Sequence, residues 1–260
     1  MTAGTTFILI PGAGGQAWIW HRLVPELRDR GHDAVAVDLP ADDDSAGLEA
    51  YTQAVLRAAA NRPEVALVAQ SMAGLTAPLV CARRPVRLLV LLNAMIPTPR
   101  ETGNQWWTTS GYEAFRAADG RQPQGADLDE DGGFDPIEAF FHDVPPDVVA
   151  EAMARGEPAQ SSRPFEDPWP LAGWPDVPTK VLASTSDRFF PVDFQRRLAR
   201  ERLGLVPDEL PGGHLVALSR PAELADRLVS YLREPSGSQK DPQPDRRSRA
   251  PTVSVRRSPR

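Results

Sequence analysis

Four short apolar runs punctuate the first hundred residues: FILI (7–10), AVAV (34–37), VALVA (65–69) and LLVLL (88–92). Between them the stretches Trp18 to Arg30, Ala46 to Ala60 and Met72 to Arg83 repeat their apolar residues at helical spacing. Near-continuous apolar runs of this length suit strands covered on both faces, as in a parallel sheet. Parallel neighbours cannot be joined by a tight turn and need a crossover, which these helices supply. The alternation predicts an α/β fold, a mostly parallel open sheet with helices on both faces.

Past the strand ending near Asn93 the pattern changes. From 97 to 178 aromatics cluster (Trp106, Trp107, Phe140, Phe141, Phe165, Trp169, Trp174), prolines are frequent, and GADLDEDGG reads as a flexible acidic loop. TKVLAST (179–185) then restores the strand pattern, Val192 to Leu203 is helical, VPDEL (206–210) is a short strand, and Pro221 to Leu232 is a last amphipathic helix. The expected organisation is a core of residues 1–96 and 179–234, a helical lid at 97–178, and a tail at 235–260. An insertion at that point projects from the edge where open α/β sheets bind ligands.

Composition narrows the function. With 260 residues and 41% hydrophobic content, the chain can bury one sizeable core. FILI is too short for the apolar core of a secretory signal and has no basic flank, and no window approaches a membrane span. Cys81 is the only cysteine, so an internal disulfide and a cysteine-based metal cluster are excluded. It falls in the apolar pattern LTAPLVCA and is expected in the core. These features fit the reducing cytoplasm. The tail carries seven Lys/Arg against two Asp/Glu, so the formal −6 of the chain leaves −11 for residues 1–234. An acidic body argues against nucleic-acid binding, and the Pro-, Ser- and Arg-rich tail is expected to be a disordered, solvated appendage.

The chemistry centres on AQSMAG (69–74), between the run VALVA and a helical pattern. In a strand-turn-helix context, a serine flanked by small residues is held in a strained turn that exposes its oxygen above the sheet. Alanine stands at both positions where the G-x-S-x-G form has glycine. By itself the motif leaves two readings of Ser71, nucleophile or helix N-cap. A nucleophilic serine needs a base, and the chain has four histidines. His21 and His32 read as structural, and His142, in FFHDV, is placed to contact substrate. His214, in LPGGHLVAL, sits in a glycine-flanked loop after a strand and before the last helix. Asp187 closes the strand TKVLAST and would fix the histidine tautomer, or serve only as a turn residue; Asp176 and Asp193 are weaker rivals. The order Ser71, Asp187, His214 is that of the hydrolases built on open α/β sheets. An oxyanion site would come from the backbone N–H groups of Ala13, in the glycine-rich loop PGAGG, and of Met72. That loop matches neither the dinucleotide fingerprint nor a Walker loop.

On these residues the chain resembles the α/β-hydrolase fold family over about 6–233. The stretch ILIPGAGGQAWIWHRLVPELRDRGHDAVAVDLP is similar to the branch of plant methylesterases, hydroxynitrile lyases and bacterial hydrolases of unassigned substrate. That branch usually opens its first loop with His-Gly and carries G-H-S-x-G-G at the elbow. Here Pro11 and Gln70 replace the histidines, and Ala69 and Ala73 replace glycines. Leu215 stands where the lyases of the branch carry Lys, which weighs against cyanohydrin chemistry. The resemblance implies no metal and no organic cofactor.

The expected activity is that of a serine carboxylesterase acting on a small to medium apolar or aromatic ester. Gly12, Gln70, Trp106, Trp107, Phe140, Phe141, His142 and Phe190 are its candidate substrate contacts. The alternatives are a lyase, carbon–carbon cleavage or acyl transfer with the same triad, and, further off, a non-catalytic small-molecule binder. The expected partner is a small molecule, with neither nucleic acid nor membrane, and the expected assembly a monomer or homodimer.

Overall fold

The computed structural model describes residues 4–118 and 135–234. The acidic stretch 125–133 and the tail 235–260 lie outside the described residues. One sheet of six strands organises the rest: β1 Thr6–Ile10, β2 Ala34–Ala36, β3 Val65–Gln70, β4 Leu88–Leu92, β5 Thr179–Ser184 and β6 Asp208–Leu210. Their spatial order is β2-β1-β3-β4-β5-β6, and every neighbouring pair is parallel. All six fall on the runs expected from the sequence.

Successive residues of each central strand face opposite cores, as the two-residue period of a strand requires. Ile8 and Ile10 of β1, Leu67 and Ala69 of β3, and Leu89 and Leu91 of β4 belong to one core. Phe7 and Leu9, Ala66 and Val68, and Val90 and Leu92 belong to the other. Helices α2 (Leu48–Ala59), α3 (Ala77–Cys81) and α8 (Val192–Leu203) cover the first face. Helices α1 (Leu23–Asp29) and α10 (Pro221–Arg233) cover the second and pack on each other. Both faces are thus sealed, which is why the strands read as continuous apolar runs.

Two expected helices are shorter than their periodicity suggests. The pattern at Trp18 to Arg30 divides into a 3-10 turn, Ala17–Trp20, and α1, because Pro25 lacks the N–H that would continue a helix from His21. The pattern at Met72 to Arg83 likewise divides into a 3-10 turn, Ser71–Gly74, and α3, since Pro78 can give no bond to the Gly74 carbonyl. Cys81 ends α3 partly buried, and burial pushes its thiol up to about 12, so it is a poor nucleophile.

Between β4 and β5 the chain runs through α4 (Gly103–Thr109), α5 (Tyr112–Ala118), a π-helical turn (Ile137–Phe141), α6 (Pro146–Ala154) and α7 (Arg163–Glu166). Thr102 and Gln105 cap the start of α4 reciprocally, each side chain accepting from the other's backbone N–H. A short helix, α9 (Val216–Ser219), precedes α10. Among the described residues, no helix is long and apolar enough to cross a membrane.

The strand order sets where a ligand can enter. From β1 the chain steps to β2 on one side, then crosses back to β3 on the other, so the direction of winding reverses between β1 and β3. Open parallel sheets leave a crevice beyond the carboxyl ends of the strands at such a reversal.

Candidate functional site

The two loops that flank this reversal are Pro11–Gly15, after β1, and the turn at Ser71, after β3. Ser71 has φ +55, a left-handed conformation that L residues with a side chain adopt at some cost, commonly where function holds them there. The fit of the turn depends on Gly74. A methyl group built on it would lie 1.8 Å from the Met95 carbonyl oxygen, and Met95 N donates to the Ser71 carbonyl at 2.9 Å. Ala69 and Ala73, at the two motif positions, are fully buried without such a conflict.

The loop after β1 is fitted to the same turn. Gly12 N donates to Gln70 Oε1 at 2.9 Å, and a methyl on Gly12 would lie 2.8 Å from Ser71 Cβ. Glycine at 12 is therefore required by close approach rather than by its own torsion angle. A backbone N–H can only donate, so this contact also fixes which end of the buried Gln70 amide faces the loop. Among the described residues, no acceptor faces the N–H of Ala13 or that of the buried Met72. A buried N–H such as that of Met72 is rarely left so, whereas Ala13 lies exposed in its loop; an N–H beside a serine oxygen can receive developing negative charge.

The remaining pieces come from β4, β5 and β6, whose carboxyl ends lie along the same edge. Asp187 follows β5 and His214 follows β6, and His214 Nδ1 bonds Asp187 Oδ2 at 2.8 Å. Both side chains are buried. The other carboxylate oxygen accepts from the N–H groups of Phe189 and Phe190, each at 2.8 Å, so the acid is held at both ends. Against an ionised carboxylate, which only accepts, Nδ1 is the donor, and in the neutral tautomer that this bond selects Nε2 is the acceptor. After β4, Asn93 (φ +44, fully buried) ties the two sides together. Its Nδ2 donates to Ser184 Oγ (2.9 Å) and to the His214 carbonyl (3.2 Å), and its Oδ1 accepts from Ser184 N (2.7 Å). Among the described residues, neither the Ser71 hydroxyl nor His214 Nε2 has a hydrogen-bond partner.

Of the aromatic residues expected around the site, Phe140 and Phe190 lie against His214, with ring centroids at 5.3 and 5.4 Å. Trp106 does not reach it. It is fully buried among Tyr112, Phe190 and Phe194, its Nε1 donating to the Ile96 carbonyl at 3.1 Å, and Trp107 packs edge-on against it. Phe141 turns instead to a separate cluster with Trp18, Val148 and Leu218. A helical repeat shows that rings share a segment, but not which ring faces which neighbour. His142 Nε2 contacts the Ser186 carbonyl at 2.9 Å, in the turn next to Asp187. His21 stacks on Trp18 and His32 sets its edge against Phe7. Asp193 pairs with Arg196 at 2.6 Å.

Sequence reasoning missed Phe189, Asn93 and Asp143. Phe189 lies 5.1 Å from His214 and was visible as the first ring of RFFP. Asn93 had a weaker signal, a polar residue closing LLVLL. Asp143, whose Oδ2 accepts from Gly213 N at 2.7 Å, had none, because nothing local links 143 to 213.

The chain is similar to several known proteins. A probable esterase, PIR7A, of rice (Oryza sativa subsp. indica) is 38% identical over 106 residues, 36% of this chain and 40% of the rice protein. The chain thus aligns with about two fifths of that relative's length. An alpha-hydroxynitrile lyase of Arabidopsis thaliana is 27% identical over 247 residues, covering 85% of this chain and 95% of the lyase. The crystal structure of a pyrethroid hydrolase from Sphingobium faniae JZ-2 superposes with a TM-score of 0.68 at 24% identity, over 89% of this chain and 98% of that one. The alpha/beta hydrolase family matches residues 7–227, nearly the whole described chain, and the protein belongs to that family.

Proposed function

We propose that the protein is a cofactor-independent serine esterase in which Ser71, His214 and Asp187 form the catalytic triad. The observation that carries this is the buried His214–Asp187 pair, with Nε2 free, on the same sheet edge as a serine held at φ +55. Ser71 Oγ attacks the ester carbonyl carbon while His214 Nε2 takes its proton. The carbonyl oxygen becomes an oxyanion that accepts from the N–H groups of Ala13 and Met72. Collapse expels the alcohol, which receives the proton from His214. Water, deprotonated by the same nitrogen, then attacks the acyl-enzyme and releases the acid. Catalytic hydrogen bonds often form only once substrate is bound, so this pairing does not require Ser71 Oγ and His214 Nε2 to be bonded beforehand.

The segment 97–178 acts as the lid. Phe140, Phe189 and Phe190 give the base an apolar surround, which favours a small to medium apolar or aromatic acyl or alkoxy group. Gly12 and Gln70 shape the floor of the site, and His142 lies at its rim. A fluorophosphonate probe should add its mass to the wild-type protein and not to Ser71→Ala. On a panel of esters graded by acyl length, Ser71→Ala should lose roughly 10⁴- to 10⁶-fold in turnover. Unchanged ester turnover in that variant would sink the assignment.

A second reading, lyase or carbon–carbon cleavage chemistry with the same triad, is favoured by one observation. The Arabidopsis lyase aligns over far more of this chain than the rice esterase does. Against it stands Leu215, where the resemblance leads one to expect Lys in cyanohydrin-cleaving enzymes. A lyase would take the probe on Ser71 and yet turn over none of the ester panel well.

A further inference from the structure

The N–H groups of the loop after β1 are almost all engaged. Gly12 N donates to Gln70 Oε1 (2.9 Å), Gly14 N to Gln160 Oε1 (2.8 Å) and Gly15 N to the Gly12 carbonyl (3.1 Å). Ala13 N–H alone is left over among the described residues of this loop, between two N–H groups held by glutamine side chains. Gln70 belongs to the elbow. Gln160 comes from the long connection between β4 and β5, in a stretch that nothing in the sequence marks.

Gln160 is anchored well enough to act on the loop. Its Nε2 donates to the Ser161 carbonyl (2.8 Å) and to the hydroxyl of buried Tyr51 (3.2 Å), and Ser161 N donates to the Ala41 carbonyl (2.7 Å). Because Gly14 N–H and the Ser161 carbonyl each play only one role, the orientation of the amide is fixed by chemistry. The neighbouring Pro158 packs on the same loop. Gly14 has φ +84, and a methyl on it would lie 2.8 Å from Pro158 Cβ. Residues 158–161 thus form a strap across the loop, held to α2 through Tyr51.

We infer that Gln160 is a positioning residue for the oxyanion site: by holding Gly14 N–H while Gln70 holds Gly12 N–H, it aims the Ala13 N–H at the oxygen of the tetrahedral intermediate. This rests on the esterase reading above. It adds a requirement that residues 158–161 be docked on the loop before the oxyanion site is complete. A donor misplaced by a fraction of an ångström stabilises the transition state much less while leaving ground-state binding nearly intact.

The test compares Gln160→Met, which keeps the volume and removes the acceptor, with wild type on the best ester of the panel. In Gln160→Met, kcat should fall roughly 10- to 100-fold while KM changes less than about three-fold. A trifluoromethyl ketone of matching shape gives a second readout. Its carbonyl carbon bonds Ser71 Oγ, the serine proton moves to His214, and the ketone oxygen takes up the negative charge. Affinity for the ketone should fall in step with kcat/KM, a correlation that a merely structural role would not produce. Tyr51→Phe, which removes one of the two acceptors of the glutamine Nε2 but keeps the core packed, should show a smaller change in the same direction, and it carries the test if Gln160→Met does not fold. If both quantities stay within about two-fold of wild type in every variant that folds, the inference is overturned. Failure of the esterase reading looks different: the wild type itself hydrolyses no ester, or Ser71→Ala keeps its turnover. In that case amide exchange of Gly14 decides whether the clamp holds the loop, and an exchange rate unchanged in Gln160→Met overturns it.

Discussion

Ser71 and its neighbours show what a motif measures at the scale of single residues. The two alanines in AQSMAG depart from the usual pattern, yet both fit without conflict, because the tight approach in this chain falls one position later. Gly74 meets the Met95 backbone, which cannot swing away as a side chain would. Gly74→Ala is therefore expected to cost more than about 3 kcal/mol or to prevent folding. Ala73→Gly should cost only about 1 kcal/mol, mostly from backbone freedom. Denaturant titration of the two variants checks this, and a Gly74→Ala protein as stable as Ala73→Gly would contradict the proposed packing. The spacing of small residues was legible in the sequence. Which of them has no room for a methyl was not, since that depends on a carbonyl from 21 positions away.

Elements were read well where periodicity and chemistry agree and less well where proline intervenes. The strand runs were found because each faces two cores and has few polar residues. The helix patterns around Pro25 and Pro78 were too long, since apolar spacing continues through a residue that cannot extend the hydrogen bonds. What fastens elements together was less visible still. Arg202 of α8 reaches Glu101, just before α4, with contacts of 2.6 and 2.9 Å, both side chains being largely buried, and it also donates to the Ile96 carbonyl. Removing one partner strands the other charge, so Arg202→Leu should destabilise by about 3 to 5 kcal/mol. Glu101→Leu combined with Arg202→Leu should recover much of that loss, because no buried charge remains. Thermal and denaturant unfolding of the three variants measures it, and an additive double variant would count against a coupled pair.

Across the whole molecule, the site is assembled by tertiary contacts between loops that are far apart in sequence. The segment 138–143 grips both loops that carry Asp187 and His214. His142 contacts Ser186, Asp143 accepts from Gly213 N, and Glu138 pairs with Arg188. On the proposed mechanism, Asp143→Leu should lower kcat roughly 10-fold by freeing the backbone next to His214, with Asp143→Asn close to wild type because an amide oxygen still accepts. Steady-state kinetics with a melting temperature for each variant separates loss of position from loss of fold. Equal activity in the leucine variant and wild type would show that the grip does not matter for turnover.

The sequence by itself determined the strands of a parallel sheet and the loops in which Ser71, Asp187 and His214 lie. Strand burial and chain order follow from local pattern and from the need to cross over a parallel sheet. Tertiary structure alone decided the partners within the site: Gln160 on Gly14, Asp143 on Gly213, Asn93 on the His214 carbonyl, and Trp106 withdrawn into the core. These contacts join residues tens to more than a hundred positions apart through one hydrogen bond or one packed ring. Such a contact leaves no periodicity in the chain, so it exists only once the sheet has brought its loops to a common edge.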